Sequence, residues 1–539
     1  MKRLTLLVIA LVLSFGSAFA NNVQISNVTI INNGPGAIQV QFDLKWDNSW
    51  RTNVGPANYD GAWVFFKFKA PGGKWEQLFM TGSNNVIPAG FDFYQTKNFM
   101  VGAMIYRDAS NMGIGSVSIT GVKLGVTNVL PYDIDLRGMA IEMVYVPAPT
   151  FRPLFGDGDG VNESVNALHY ADNTATTGSL ALTKCDANSM DDAKLETDGI
   201  YVYSNDTLQT TNPISSLDAF PTMKAVWCMK YELSQAGYRD FLNTLDSQQQ
   251  ATRTDAAPTS VRGTTAFTTP VGNFLVIDTP ATATKAAVYS CNRNGNGVHN
   301  ESADGEWDAC SNLKWTDLAA FLDWSGLAPM SEIQFERMAR GTSSAGANLA
   351  VLGEFAWGDT TITNGSYTLT GTGSANELAS NASATRGNAN YGNAAASAAS
   401  LRNGIFATST SNRRTSGASF YGIMELSGNL QEMCICLGNV AGRSCKYVPN
   451  GDGRLSALGN AQLNPGGGGF WPGMEGNFSL GVANACVLNC EVTSFAGIRL
   501  RGGGNTDAAS VLAIADRSVV FQPTSRTGGR GGRGVLNFR

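Results

Sequence analysis

The residues with the clearest chemical potential are nine cysteines and two histidines. The cysteines stand at positions 185, 228, 291, 310, 434, 436, 445, 486 and 490, and the histidines are His169 and His299. The spacings Cys434-x-Cys436 and Cys486-x-x-x-Cys490 could bind a metal ion through thiolates or could form disulfides. Because neither spacing is repeated and histidines are so few, we favour disulfides or unreactive thiols. The odd count leaves at least one thiol unpaired within the monomer.

The N-terminal residues predict export. Lys2 and Arg3 precede an apolar run over residues 4–15, and a small-residue cleavage pattern ends at Ala20. We therefore expect a signal peptide over residues 1–20 and a secreted, extracellular or periplasmic mature chain. No cysteine follows the cut as a lipid anchor, and no later stretch is long enough for a transmembrane anchor. An anchor formed by the first apolar run is the alternative, and its short length argues against it.

Length and composition restrict the architecture and the partners. The chain has 539 residues, which suggests about two to four domains. Charged residues make up only 15% and there are 61 glycines, which favours short strands joined by polar turns. The formal net charge is −5, and removal of Lys2 and Arg3 with the signal makes it −7. This charge argues against a nucleic acid as a partner.

The region from residue 21 to 138 shows the alternation of a half-buried sheet. Residues 37–44 and 62–69 alternate between apolar and polar side chains, and glycine- and proline-rich turns separate such runs. This pattern predicts a β-sandwich. No group of catalytic residue types stands out there, so we interpret the region as a structural or docking module.

Three helices are predicted in the second region, and each has its own boundary signals. Ser234 is a candidate cap for the first helix, and Thr316 is a candidate cap for the second. The third opens with a capping-box pattern, Ser331 and Gln334, and Gly341 follows it as a stop signal. Their apolar residues recur at helical spacing, so we expect these helices to face a core.

Six segments of this second region, taken in order, resemble one protein family. They are residues 143–147, 229–234, 313–319, 329–341, 355–359 and 421–432. The last reads Tyr-Gly-Ile-Met-Glu-Leu-Ser-Gly-Asn-Leu-Gln-Glu, which is similar to the signature Gly-Leu-x-Asp-Met-Ser-Gly-Asn-Val-Trp-Glu. That signature belongs to the sulfatase-modifying-factor family, the fold of the formylglycine-generating enzyme. From about Met139 to its end, the chain resembles that domain.

The resemblance implies a fold class and a domain layout. The fold class is α+β, with an N-terminal β-sandwich followed by a formylglycine-generating-enzyme-like domain. Such a domain is related to C-type lectins and has little regular secondary structure. The implied layout is a signal peptide at 1–20, the β-sandwich at 21–138 and the second domain at 139–539. Residues 341–420, which are rich in Gly, Asn, Ser, Thr and Ala, are expected to form long loops.

The resemblance also implies calcium as a structural ion. At the first site, Glu425 and Glu432 would supply carboxylates, and Gly428 and Leu430 would supply carbonyls, as hard cations require. Glu425 stands where the family usually has Asp or Asn. A second calcium site resembles the family's at the pair Asn390 and Tyr391. Turns held by hydrogen bonds alone are the alternative interpretation of both segments.

The copper site of the family, in contrast, is not expected here. Residues 501–505 resemble the family's Arg-Gly-Gly-Ser-Trp turn, after which two cysteines of the enzyme bind copper. Asp507 and Leu512 stand at those two positions, and no cysteine follows Cys490. A replacement site built from Cys486 and Cys490 remains an alternative. The iron-dependent chemistry of other family members would need more histidines than this chain has.

Three functions are compatible with these observations. We favour a secreted, non-catalytic surface or extracellular protein that uses the scaffold to bind a glycan or protein ligand, or for assembly. The loops of residues 341–419 and the aromatic pair Phe470 and Trp471 are its candidate contacts. The first alternative is a formylglycine-generating-type oxidase that modifies a cysteine or serine of partner proteins. The second alternative is a structural component of an extracellular matrix or envelope layer.

Overall fold

The computed structural model describes most of the chain. The described residues are 18–19, 23–32, 38–96, 100–127, 133–148, 168–172, 181–184, 200–204, 207–208, 224–268, 272–341, 351, 353–393, 399–436, 440–443, 445, 448–464, 470–474, 488–518 and 526–538. They are rich in strands and poor in helices, and almost all strand pairs are antiparallel. The prediction of a chain with many strands and few helices is therefore confirmed, although strands of up to 14 residues occur beside the short ones. Most of the predicted signal peptide lies outside the described residues, as do Cys185 and Cys486.

Two sheets that consist mainly of strands from the first region face each other. The smaller has the order β1 (Ala18–Phe19), β2 (Val23–Asn32), β3 (Ile38–Arg51) and β8 (Gly113–Val126). The larger has the order β17 (Ala328–Pro329), β25 (Gly534–Asn537), β14 (Val226–Met229), β9 (Asp135–Val146), β4 (Asp60–Lys69), β7 (Gly102–Arg107) and β6 (Phe91–Gln95), and β5 (Trp75–Leu78) also pairs with β4. The rings of Phe42 and Phe66 meet between the sheets in an edge-to-face contact, and their centroids are 5.4 Å apart.

Strand β9 joins the two halves of the chain. On one side it pairs with β4, from Asp135 opposite Lys69 to Val144 opposite Asp60. On the other side it pairs with β14, where Met143 lies opposite Met229. The domain boundary predicted at residue 138 therefore falls inside a strand, and one continuous sheet contains strands from both regions.

The second region adds small sheets and turns. Its further strands are β10 (Leu168–Asp172), β11 (Ala181–Lys184), β12 (Ile200–Ser204), β13 (Thr207–Leu208), β15 (Leu275–Thr279), β16 (Val288–Cys291), β18 (Leu369–Thr370), β19 (Leu378–Ala379), β20 (Gln431–Ile435), β21 (Gln462–Leu463), β22 (Cys490–Glu491), β23 (Ile498–Arg501) and β24 (Arg530–Gly531). Strand β20 lies between β23 and β24 and pairs with β24 in parallel. A 3₁₀ helix spans Ala509–Leu512.

The described helices are short and capped. They are α1 (Gln235–Leu242), α2 (Ser247–Arg253), α3 (Trp315–Ser325), α4 (Glu332–Arg340) and α5 (Val440–Arg443). Ser234 caps α1 by accepting from the Gly237 N–H, as predicted. Ser331 and Gln334 form the predicted capping box of α4, and Gly341 ends that helix with a φ of 89°. None of the helices that the structure describes is long and apolar enough to cross a bilayer.

Two helix starts differ from the prediction. Helix α3 begins two residues earlier than expected, because the Asp317 carboxylate accepts from the Lys314 N–H at 3.0 Å and makes Lys314 the cap position. The cap assigned to Thr316 is therefore wrong. Helix α2 was not predicted, although Asp246 and Gln249 form a complete capping box at its start.

A buried cluster of four charged residues attaches α4 to the C-terminal part of the chain. The two carboxylates are Glu332 and Glu336, and the two guanidinium groups belong to Arg501 and Arg517. Arg517 Nε lies 2.9 Å from Glu332 Oε2, and Arg501 Nη2 lies 3.0 Å from Glu336 Oε1. All four side chains are fully buried. Each carboxylate is thus shared between two arginines, which compensates the desolvation of the charges.

We predict that Arg517→Met destabilises the protein by about 3–5 kcal/mol, because it leaves two buried carboxylates to one arginine. Arg414→Met is the matched control, since Arg414 pairs with Asp359 at the surface and is 49% exposed. It should cost no more than about 1 kcal/mol. Urea unfolding of the two variants measures both values, and equal costs would contradict the importance of the cluster.

In a second buried cluster, one arginine lies between two carboxylates. Arg293 Nη1 lies 2.6 Å from Asp308 Oδ2 and 2.8 Å from Glu377 Oε2. Burial raises the pKa of Asp308 to about 8, and the neighbouring Glu377 carboxylate adds to the shift against the opposing effect of Arg293. Asp308 Oδ1 is buried and has no hydrogen-bond partner among the described residues. One arginine thus serves two carboxylates, which favours the protonated form of Asp308.

We expect the Asp308 carboxyl to make the protein less stable as the pH rises. Between the ordinary pKa near 4 and the folded value of about 8, the folded state binds the proton more tightly than the unfolded state. The free energy of unfolding should therefore fall across this window, by at most about 1.4 kcal/mol per pH unit from this group. Asp308→Asn should flatten the fall in urea titrations at pH 5 to 8. An unchanged slope would refute the assignment.

Candidate functional site

The Ser-Gly-Asn segment, residues 425–432, is a tight turn that leads into β20. Gly428 has a φ of 93°, and a Cβ there would lie 3.0 Å from Asn390 O, so only glycine fits without strain. The Gly428 N–H donates to Gly502 O at 2.8 Å, and the Asn429 N–H donates to Asn390 O at 2.9 Å. The turn is therefore hydrogen-bonded to Gly502 and to Asn390, which belongs to the second predicted calcium site.

Asn429 and Glu232 form the centre of this arrangement. The Asn429 amide donates to Glu232 Oε2 at 2.5 Å, and the Leu430 N–H donates to Glu232 Oε1 at 2.9 Å. Asn429 Oδ1 accepts from the Leu401 N–H and from the Asn390 amide. Burial raises the pKa of Glu232 well above its ordinary value, and the nearby Glu432 carboxylate raises it further. Glu232 is not among the predicted ligands, and its partners are almost 200 residues away in the sequence.

Glu432, a predicted calcium ligand, is held by an arginine. Arg533 Nε and Nη2 each lie 2.7 Å from one oxygen of the Glu432 carboxylate, and the two side chains are at most 1% exposed. The remaining nitrogen of Arg533 donates to the carbonyls of Met229 and Lys230. This bidentate pair occupies both carboxylate oxygens.

Glu425 has an open oxygen beside a small cavity. Its Oε1 accepts from the Gly404 N–H at 2.7 Å, whereas Oε2 is buried without a hydrogen-bond partner in the described part of the chain. Burial raises the pKa of Glu425 to about 7. The cavity is also lined by Asn390, Gly428 and Asn429. Residues from both predicted calcium sites thus meet at one place.

The other predicted ligands face different partners. Tyr391 Oη donates to Thr363 O at 2.7 Å, and the Glu432 carboxylate is paired with Arg533 as described above. The described residues contain no group of three or more acidic, histidine or cysteine side chains arranged for a metal ion. Calcium therefore stays a prediction, and Glu425 is the predicted carboxylate ligand that lines the cavity.

We predict that calcium, if bound at this cavity, depends on Glu425. Calcium should raise the Tm of the wild-type chain. At a calcium concentration of 100 times the Kd, the free energy of unfolding should increase by about 2.7 kcal/mol. Glu425→Gln should abolish that rise, because the amide removes the negative charge of the carboxylate that lines the cavity among the described residues. Glu301→Gln, at an exposed loop, is the control and should keep it. Equal calcium responses in all three proteins would contradict this assignment.

Asp507 and Leu512 have structural roles. Asp507 Oδ2 accepts from the Gly504 N–H and from the Gln431 amide, both at 2.7 Å, which closes the glycine turn after Arg501. Leu512 is fully buried against Phe355, Trp357 and Ala389. Asp507 therefore closes a turn and Leu512 fills an apolar cluster, at the two positions where the expected resemblance would place copper-binding cysteines.

The described cysteines are buried and unsuited to act as thiolates. Burial raises the pKa of Cys228 to about 12, and it raises the pKa values of Cys310 and Cys434 well above the ordinary range. Cys490 is in a disulfide bond. These environments agree with the expectation of disulfides and unreactive thiols.

One predicted ligand contact is wrong. Trp471 is only 1% exposed, and its indole N–H donates to Pro449 O at 2.9 Å. The ring therefore belongs to the core and does not contact a ligand on the surface. Its neighbour Phe470 packs against the same core.

Comparison with known proteins adds no assignment. The chain matches no protein-family model and no curated sequence.

Proposed function

We propose that the mature chain is an exported protein that binds a ligand without catalysing a reaction. Its scaffold would be an α+β domain of the formylglycine-generating-enzyme type, related to C-type lectins and joined to an N-terminal β-sandwich. The observation that carries the proposal is the packing of Leu512 in an apolar cluster, at a position where the enzyme needs a copper-binding thiolate. Asp507, at the second position, is engaged in closing a turn.

The alternative oxidase receives less support from the same residues. Its remaining route to copper was the pair Cys486 and Cys490. Cys490 is fully buried and its sulfur is already in a disulfide bond, so it offers no thiolate to a metal ion. A buried centre at Glu232 and Asn429 supports a scaffold role for the Ser-Gly-Asn segment, since its polar groups bind one another.

Copper analysis and oxygen uptake test this proposal directly. We expect the mature protein, purified from an exporting host and exposed to Cu(I), to retain copper far below one ion per chain. It should consume no oxygen with a cysteine-containing peptide. Cys490→Ser should not change either result. Stoichiometric copper in the wild type, lost in Cys490→Ser and accompanied by oxygen uptake, would establish the oxidase instead.

A further inference from the structure

A large groove lies where the first region meets the second. One wall consists of Lys69, residues 72–75 and Arg137, and the other consists of residues 243–248 and 282–288. Its volume is about 840 Å³, which is within the usual range for small-molecule sites. It is distinct from the cavity at Glu425, and its lining includes none of the predicted calcium or copper positions.

The floor of the groove is the end of the large sheet. Trp75 lies opposite Lys69, and Lys69 lies opposite Asp135, so these side chains share one face of neighbouring strands. Arg137 is two residues farther along β9 and therefore lies on the same face. The next position of β4 on this face, Lys67, is buried and donates to the carbonyls of Trp324 and Gly453. The sheet face thus leaves the cover of α3 at Lys69.

The groove carries excess positive charge in an acidic protein. The Arg137 guanidinium lies 4.5 Å from the centre of the Trp75 ring, and Lys69 Nζ lies 5.1 Å from it. Lys69 pairs with Asp135, and Lys74 pairs with Asp246. Arg137 has no carboxylate within ion-pair distance among the residues that the structure describes. The same holds for Lys285.

The opposite wall adds neutral hydrogen-bonding groups and fixes the position of Lys285. Thr282 Oγ1 accepts from the Lys285 N–H at 3.2 Å, and the Thr282 N–H donates to Lys285 O at 2.9 Å. This closed turn presents the Lys285 side chain to solvent beside Thr284 and Gln248. Two cations that have no carboxylate within ion-pair distance in the described part of the chain therefore line one groove together with hydroxyl and amide groups.

We propose that this groove binds an acidic glycan, whose anionic groups pair with Arg137 and Lys285. This inference rests on the proposed ligand-binding function and names its ligand class. A planar guanidinium that is held against an indole ring is well placed for bidentate pairing with a carboxylate or a sulfate. Hydroxyl and amide groups match the hydroxyl groups of sugar rings. The edge of Trp75 offers apolar contact to a ring.

Calorimetry on the intact mature protein tests the groove. The probes are galacturonate oligosaccharides, which carry carboxylates, heparin oligosaccharides, which also carry sulfates, and neutral galactose oligosaccharides. We expect at least one acidic probe to bind, with affinity that falls as salt rises, and the neutral probe to bind at least about tenfold more weakly, since one charged hydrogen bond is worth that factor. The stronger of the two acidic probes identifies the preferred anion.

Variants assign the binding to the groove. Arg137→Ala and Lys285→Ala should each weaken the acidic probe about tenfold or more. Arg386→Ala and Lys45→Ala remove the same charges from exposed positions outside the groove and should leave affinity within about twofold. The Tm of every variant, measured in parallel, identifies any loss that is due to unfolding.

Several results would overturn the groove assignment. They are the absence of binding to both acidic probes, equal binding of neutral and acidic sugars, unchanged affinity in both groove variants, or equally tight binding of a polyglutamate peptide. The last result would indicate an acidic protein partner. If these tests fail and the protein also retains no copper, only the glycan-binding groove is refuted. Stoichiometric copper with oxygen uptake would instead refute the non-catalytic function itself.

Discussion

The pairing of β9 with strands on both of its sides is the constraint on which the rest of the structure depends. Its pairing with β4 sets Lys69 beside Asp135 at one end of the sheet, where the groove opens. Its pairing with β14 places the residues after Met229, including Glu232, beneath the Ser-Gly-Asn segment. Both the buried polar centre and the surface groove thus take their positions from one strand. The two regions consequently cannot be separated without breaking a ladder of backbone hydrogen bonds.

Buried ion pairs fix the positions of segments that regular secondary structure does not join. Long turns leave many segments without a ladder of backbone hydrogen bonds, so their positions must be fixed by side chains. Arg517 fixes the segment after the 3₁₀ helix to α4, and Arg533 fixes the last strand to β20. Each arginine has several acceptors at defined angles, which makes the position specific as well as neutralised. The cost of desolvating these groups explains why each of these buried arginines is paired with one or more carboxylates.

Local signals were readable from the sequence, and long-range pairings were not. The caps at Ser234 and Ser331 involve residues three positions apart, so a short motif contains all the information. The cap predicted at Thr316 is wrong, because the Asp317 carboxylate accepts a hydrogen bond from the Lys314 N–H and the helix starts earlier. The strands of the first region follow from alternation, but the partner of β9 in the second region does not. The contact between Glu232 and the Ser-Gly-Asn segment likewise depends on the complete fold.

The buried Ser-Gly-Asn segment and the exposed groove suggest a division of roles. Glu432 and Arg533 are at most 1% exposed and pair with each other, so this part of the Ser-Gly-Asn segment stabilises the fold, whereas Glu425 lines the small cavity. The groove, in contrast, needs residues of both regions, with Arg137 from β9 and Lys285 from the loop before β16. A ligand there would bridge the junction between the regions. Binding at this junction therefore requires that β4 and β9 stay paired, and that the loop before β16 keeps Lys285 at the opposite wall of the groove.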